Sequence, residues 1–174
     1  MTGKMPYKNK MMVMAALFVA LSYVATVVLM IPSPTGGYMN LGDTVVLLGA
    51  YLLGPAWGAV AGGLGPALAD LLGGYGVYAP ATLVIKALMA VSAALVYRVL
   101  GRKNWVLLIS GCIAEAIMVV GYCLFDAFLA GNLAVGLTGI PANLMQAAFG
   151  LVASTLLTVA LKKNVQVCRA FPRL

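Results

Sequence analysis

Ten of the eleven basic residues in this 174-residue chain stand in three clusters, each at the end of an apolar stretch. They are Lys4, Lys8 and Lys10; Arg98, Arg102 and Lys103; and Lys162, Lys163, Arg169 and Arg173. The eleventh, Lys86, lies inside an apolar run. Clustered Lys and Arg mark the cytoplasmic side of membrane spans. A lone ammonium at membrane depth is costly and therefore marks a candidate functional site. Composition leaves no water-soluble reading. The chain is 63% hydrophobic and 9% charged, with mean hydropathy +1.04, whereas soluble domains carry about 25% charge. One integral membrane domain, residues 1–174, is expected. The net charge of +7 does not point to nucleic acid, because the basic residues flank spans and face water and anionic headgroups.

Apolar stretches run over about 9–31, 41–53, 55–73, 79–99, 104–128 and 138–161. The first is too long for a signal peptide, and more follow. A span needs about 20 residues, so 41–53 is short and fusing it with the next stretch is the competing assignment. Charge parity decides against fusion. Five spans put the 98–103 cluster opposite the N-terminal lysines; six put all three clusters on one side. Gly54-Pro55 supplies the break, since proline lacks the N–H and disfavours helix in the residue before it. The expectation is an all-α integral membrane protein of six transmembrane helices, with both termini cytoplasmic and a short second helix. The outer loops then fall at about 32–40, 74–78 and 129–137. The first carries Pro32, Pro34, Gly36 and Gly37, which permit tight turns, and it is long enough to fold over a cavity.

All four acidic residues lie in or beside the spans: Asp43, Asp70, Glu115 and Asp126. Under the parity assignment Asp43, Asp70 and Asp126 lie toward the outer face. Lys86 sits roughly 10 Å below it. Asn143 and Gln146 share a face of the sixth span, and Tyr122 and Asp126 a face of the fifth. Polar groups from several helices thus converge on the outer third of the bilayer. A binding cavity open to the outside fits this better than a pore, whose polar lining reaches both faces.

Two readings stay open for each group. Lys86 meets a ligand or forms an ion pair with an acidic residue. Asp43 caps the second helix, contacts ligand, or does both. Asn143 and Gln146 bind ligand or join helices. Tyr38, Tyr75 and Tyr78 stack on ligand or belong to an interfacial belt. Glu115, near mid-membrane, is protonated or paired with Lys86.

Small residues recur on two spans. Ala15, Ala16 and Ala20 lie on the first, where an Ala face can contact another subunit. Gly58, Gly62 and Pro66, with Ala59 and Gly63, lie on the third, where internal packing is the preferred reading. Cys112 and Cys123 are roughly 16 Å apart along one helix, too far to bridge, and read as apolar packing residues. No His is present, so imidazole ligation of zinc or haem is excluded. No P-loop, G-x-S-x-G elbow, H-E-x-x-H or Cys pair at metal spacing occurs. Neither enzyme activity nor a cofactor is expected, and any ATPase driving transport must be another polypeptide.

The run from Asn40 to Lys86 reads NLGDTVVLLGAYLLGPAWGAVAGGLGPALADLLGGYGVYAPATLVIK. It resembles the substrate-binding S components of energy-coupling factor (ECF) transporters, in the riboflavin-type branch. The resemblance rests on Asn40, Gly42 and Asp43; Leu53 to Pro55; Ala69-Asp70; Pro80; and Ile85-Lys86. Ile140 to Asn143 with Gln146 also fits, as do Ala16 and Ala20 as a docking motif.

The resemblance implies a multi-pass protein of the prokaryotic plasma membrane. It would capture a vitamin or precursor at the outer face, with a membrane coupling (T) subunit, two cytosolic ATPase subunits and membrane lipid as its surroundings. The expected substrate-binding residues are Tyr38, Asn40, Asp43, Tyr78, Lys86, Tyr122, Asp126, Asn143 and Gln146. The expected coupling interface is Ala15, Ala16 and Ala20. Aromatic rings mixed with Lys, Asp, Asn and Gln suit a flat, hydroxylated heterocycle. A B6 vitamer or hydroxymethylpyrimidine is favoured, with riboflavin as another member of the range. The rival readings are a self-sufficient proton-coupled carrier or channel using Lys86 and Glu115, and a membrane scaffold or enzyme with no soluble ligand.

Overall fold

The computed structural model describes residues 7–33, 35–171 and 174. Lys4, Pro34 and Arg173, used in the sequence reading, lie outside the described residues. Helix α1 covers Tyr7–Val28. A two-residue antiparallel pair follows, β1 (Ile31–Pro32) with β2 (Tyr38–Met39). Helix α2 covers Gly42–Leu53, α3 Pro55–Leu72, α4 Ala79–Val99 and α5 Asn104–Ala130. A short α6 (Leu133–Thr138) precedes α7 (Ile140–Lys162), and α8 (Val165–Ala170) closes the chain.

The breaks follow from the residues that make them. Gly54 takes φ 80° between α2 and α3, a conformation that a Cβ disfavours, and Pro55 then starts α3 where a missing N–H costs nothing. The two stretches are therefore separate helices, as the parity argument requires. Gly131, at φ 63°, ends α5 in a left-handed cap. The Asn132 side chain then accepts from the Ala134 N–H and starts α6.

Among the described residues, four helices are long and apolar enough to cross a membrane: α1, α4, α5 and α7. With 12 residues, α2 is too short. Although 18 residues long, α3 is diluted by four glycines, two prolines and Asp70. Large apolar side chains cover the outside of the bundle, among them Leu17, Leu88, Leu124 and Leu156, each more than half exposed. Such a surface suits lipid, not water.

The short α2 is the centre of the bundle. Ten of its twelve residues are buried, and it packs against α1, α3, α4 and α7. Glycines let its neighbours approach. A Cβ on Gly58 would lie 2.9 Å from the Ala50 Cα, and one on Gly62 2.9 Å from Val46 Cγ1. A Cβ on Gly65 would meet the Ser22 hydroxyl of α1. The small-residue stripe of α3 is thus used up internally, as the sequence reading preferred. On α1, Ala16 and Ala20 face outward, but Ala15 does not. It is 2% exposed and packs with Met11, Phe18 and Leu53, which corrects its placement on a docking face. Ala15 precedes Ala16 by one residue, or about 100° around a helix.

Other expectations are corrected as well. The 32–40 connection carries a small hairpin, and the 129–137 segment is mostly helical. Cys123 is buried as expected, whereas Cys112 is exposed on the outside of α5.

The basic segments meet at one end of the bundle. Lys10 donates to the Ala170 carbonyl at 2.7 Å, and Lys162 to the Arg102 carbonyl and Asn104 Oδ1, both at 2.9 Å.

Candidate functional site

At the other end, a cleft of about 470 Å3, open mouth included, lies among α1, α3, α4, α5, α7 and the 33–40 loop. Its floor is a chain of buried polar groups. Lys86 on α4 is 1% exposed and pairs with Asp43 Oδ1 on α2. The second Asp43 oxygen accepts from Gln146 Nε2 of α7 at 2.6 Å. Gln146 Oε1 in turn accepts from the Asn40 main-chain N–H at 2.7 Å, and Asn40 Oδ1 from the Gly42 N–H at 2.8 Å. A buried charge is tolerable only when paired and hydrogen-bonded, and here both carboxylate oxygens are satisfied. The Lys86 ammonium also lies 5.4 Å from the centre of the Tyr122 ring, a cation–π arrangement.

Tyrosines and carboxylates form the walls. Tyr38 donates to Asp70 Oδ1 at 2.5 Å and packs on Tyr75 with ring centres 4.5 Å apart. Tyr78 donates to Asp126 Oδ1 at 2.9 Å and to the Thr35 carbonyl at 3.1 Å. Tyr122 and Thr82 share a hydrogen bond of 2.9 Å. Burial, reinforced by the bonded carboxylate, pushes the Tyr38 and Tyr78 hydroxyls well above the usual tyrosine range. Both therefore stay protonated donors at every pH below about 10. The loop from Ser33 to Asn40 lies across the mouth, held by Tyr38, by Thr35 and by the Asn40 N–H.

Two cleft groups retain unused capacity. Asp70 is 3% exposed; Thr82 lies beside its carboxyl, and its Oδ2 has no properly formed hydrogen bond among the described residues. The Asn143 side chain lines the cleft, with no hydrogen bond among the described residues.

Eight of the nine expected binding residues line this cleft: Tyr38, Asn40, Tyr78, Lys86, Tyr122, Asp126, Asn143 and Gln146. Asp43 lies beneath it as the counter-charge of Lys86. Nor is Asp43 a cap, since α2 begins one residue earlier and its N-cap, Leu41, makes no side-chain bond. Sequence reasoning left Thr26, Ser33, Thr35, Gly37, Pro66, Asp70 and Thr82 out of the site. Thr82 was findable, being one helical turn from Lys86 on α4. Thr26 carries no such signal, because α1 shows only Ser22 and Thr26 in an apolar run.

Glu115 is absent from the cleft. It is 4% exposed, and neither oxygen has a hydrogen-bond partner among the described residues. Its carboxyl and Asp43 both border Gly150, where a Cβ would lie 2.7 Å from Glu115 Oε1 and 2.8 Å from Asp43 Cβ. Lys86 pairs with Asp43, and the expected alternative of a Lys86–Glu115 pair does not form.

Three similarities to known proteins bear on this geometry. The family model for the S component of ECF-type riboflavin transporters matches residues 7–163. A protein of Pyrococcus woesei, described as an uncharacterized protein in gap 3'region, is 41% identical over 101 residues, 57% of this chain. The match spans 66% of that relative's length, just under two thirds. The solved structure of the S component of a bacterial ECF transporter superposes with a TM-score of 0.74, over 90% of this chain and 97% of that one. At 20% identity this likeness is one of fold.

The floor generates a prediction about stability. Lys86→Met should destabilise the ligand-free protein by about 3–5 kcal/mol, because it leaves a buried carboxylate unpaired. Adding Asp43→Asn should restore most of that loss, as a neutral amide needs no counter-charge. Thermal melting of the three proteins in detergent checks this; an unchanged melting temperature for Lys86→Met would remove the pair from the fold's foundations.

Proposed function

The chain belongs to the family of S components of ECF-type riboflavin transporters, and from that membership we propose that it is the membrane-embedded substrate-binding subunit of an ECF-type importer. It captures a small heterocyclic vitamin or precursor at the outer face of a prokaryotic plasma membrane and works with a coupling subunit and two ATPase subunits. One observation carries the reading: a tyrosine-walled cleft whose buried Asp70 Oδ2 has no properly formed bond. A buried polar group left without a bond calls for a partner, and tyrosine rings beside a carboxylate and an amide suit a flat ring bearing hydroxyl or N–H donors. A B6 vitamer or hydroxymethylpyrimidine, a single ring bearing such groups, is the favoured ligand. Riboflavin is the second reading, favoured by the description of the matched family.

A self-sufficient carrier with a Lys86–Glu115 relay is not supported. Lys86 is engaged by Asp43, and Glu115 does not reach the cleft. The exposed Ala16 and Ala20 form the coupling face of our reading, without Ala15.

The substrate is tested first. Mass spectrometry of the purified protein should find a bound pyridine or pyrimidine vitamer, and calorimetry should give its affinity. Asp70→Asn should weaken binding about ten- to a hundred-fold, the worth of one charge-assisted hydrogen bond of about 1.5–3 kcal/mol. Asn143→Ala should cost about 0.5–1.5 kcal/mol. Riboflavin in the cleft would select the second reading, and a protein that binds none of these compounds would end both.

Orientation comes next. The reading places six helical segments in the membrane, the short α2 among them, with both termini inside. With native cysteines replaced, a cysteine at position 76 should react with an impermeant reagent from outside, while one at position 103 should not. Position 76 suits the probe because a Cβ there meets only Leu71 Cδ1, at 3.9 Å. Reaction at 103 from outside would invert or break the topology.

Coupling has its own test. Ala20→Leu should reduce uptake and co-purification with the coupling subunit while leaving affinity within about two-fold, because a larger side chain separates helices that meet through small residues. Normal uptake in this variant would move the docking face elsewhere.

A further inference from the structure

With the loop-covered end drawn uppermost, the upper cleft carries an uneven balance of charge. Its charged side chains are Asp70, Lys86 and Asp126. Lys86 is the one basic residue on the wall among those described, and its charge is already spent. It is 1% exposed and pairs with Asp43 beneath the floor; it acts on Asp70 only through its field. Neither wall carboxylate forms an ion pair among the described residues. Tyr38 donates to Asp70 and Tyr78 to Asp126, but a neutral hydroxyl satisfies an oxygen without cancelling its charge.

We propose that the upper cleft selects a cationic ligand, a flat ring carrying an ammonium group, over the same ring with a hydroxyl in that place, and that it rejects phosphate esters. The proposal rests on the vitamin-binding reading and narrows the substrate of that site to one charge class. Its first support is the charge count: two carboxylates on the wall, against one ammonium that a third carboxylate already holds.

The second support is the state of Asp70. Its side chain is buried, and Oδ2 has no properly formed hydrogen bond among the described residues. A buried carboxylate needs both a hydrogen-bond donor and an opposite charge. A ligand hydroxyl supplies the first and not the second. A ligand ammonium supplies both in one contact, and such charge-assisted bonds are roughly twice as strong as neutral ones. Asp70 also stands in the last turn of α3, which ends at Leu72. The free carbonyls of a helix end disfavour a carboxylate and favour a cation.

The rest of the wall points the same way. Tyr38, Tyr78 and Tyr122 line it, and aromatic faces attract cations. A phosphate ester would meet donors already taken: the Tyr38 and Tyr78 hydroxyls serve the carboxylates, and Lys86 serves Asp43. It would also set its own charge against Asp70 and Asp126, and like charges brought together in a binding site are costly.

The test uses the full chain purified in detergent and calorimetry with matched probes. Pyridoxamine and pyridoxine form one pair, aminomethylpyrimidine and hydroxymethylpyrimidine the other; each pair exchanges an ammonium for a hydroxyl on one ring. In the pair that binds, the amine should be at least about ten-fold tighter than the alcohol. The phosphate ester of that alcohol should be at least about ten-fold weaker than the alcohol itself. Asp70→Asn keeps the shape of the side chain and an acceptor for Tyr38. It should weaken both members of the pair and cut the amine's advantage to less than about three-fold, since the amide supplies no charge. Asp126→Asn, which changes charge and not volume, should narrow the gap between ester and alcohol; an unchanged gap would make the rejection one of size. Equal binding of amine and alcohol, an ester bound as well as its alcohol, or an amine advantage untouched by both Asn variants would overturn the charge selection and leave the vitamin-binding reading standing. Riboflavin bound more tightly than either amine would overturn it too and select the second reading. A protein that binds none of these compounds would end both.

Discussion

Everything in this fold is arranged around one ion pair in an apolar medium. Separating Lys86 from Asp43 would leave two buried charges unpaired, so the pair fixes α4 against α2. Gln146 extends the constraint to α7, and the Asn40 N–H extends it to the loop before α2. Twelve residues of helix, too few to span a bilayer core, thereby become the centre of the molecule. Glycines supply the space this requires. Gly150 lets α7 close on Asp43, and Gly62 lets α3 close on Val46.

The two ends of the bundle have opposite chemistry. One carries carboxylates, tyrosines and amides in a cleft roofed by a loop. The other carries arginines, and lysines that reach main-chain carbonyls of neighbouring segments. Glu115 stands between, buried without a hydrogen bond among the described residues. It abuts the floor of the upper cleft through the Gly150 gap.

Much of this was legible in the chain because membrane physics writes large signals. Runs of apolar residues, Gly54-Pro55 and the grouping of basic residues gave the segments and their breaks. The convergence of Lys86, Tyr122, Asp126, Asn143 and Gln146 could be read from depth alone. Pairing could not, because depth leaves Asp43 and Glu115 as equal partners for Lys86, and only helix packing chooses between them. Rotation about a helix axis was equally hidden. Ala15 and Ala16 are neighbours in sequence, yet one packs in the core and the other faces out. Asp70 was seen as one acid among several; that its carboxyl sits beside Thr82 with no properly formed bond to its second oxygen is visible only in three dimensions. The hairpin at 31–39 and the short α6 depend on local capping too weak to stand out between long apolar runs.

The loop over the upper cleft is fastened by single hydrogen bonds to three separate helices: Tyr38 to α3, Asn40 to α7, and Thr35 to Tyr78 at the head of α4. The two neutral bonds are worth about 0.5–1.5 kcal/mol net each, and the Tyr38 bond to the Asp70 carboxylate about 1.5–3 kcal/mol. Each also involves a polar group that a hydroxylated ligand can satisfy equally well. Were such a roof to open in the presence of ligand, partners would be exchanged and not lost, and the free energy would stay nearly level while the geometry changed. A closure of this kind is selective by arithmetic: molecules unable to replace the surrendered bonds meet a barrier that those of the right pattern do not.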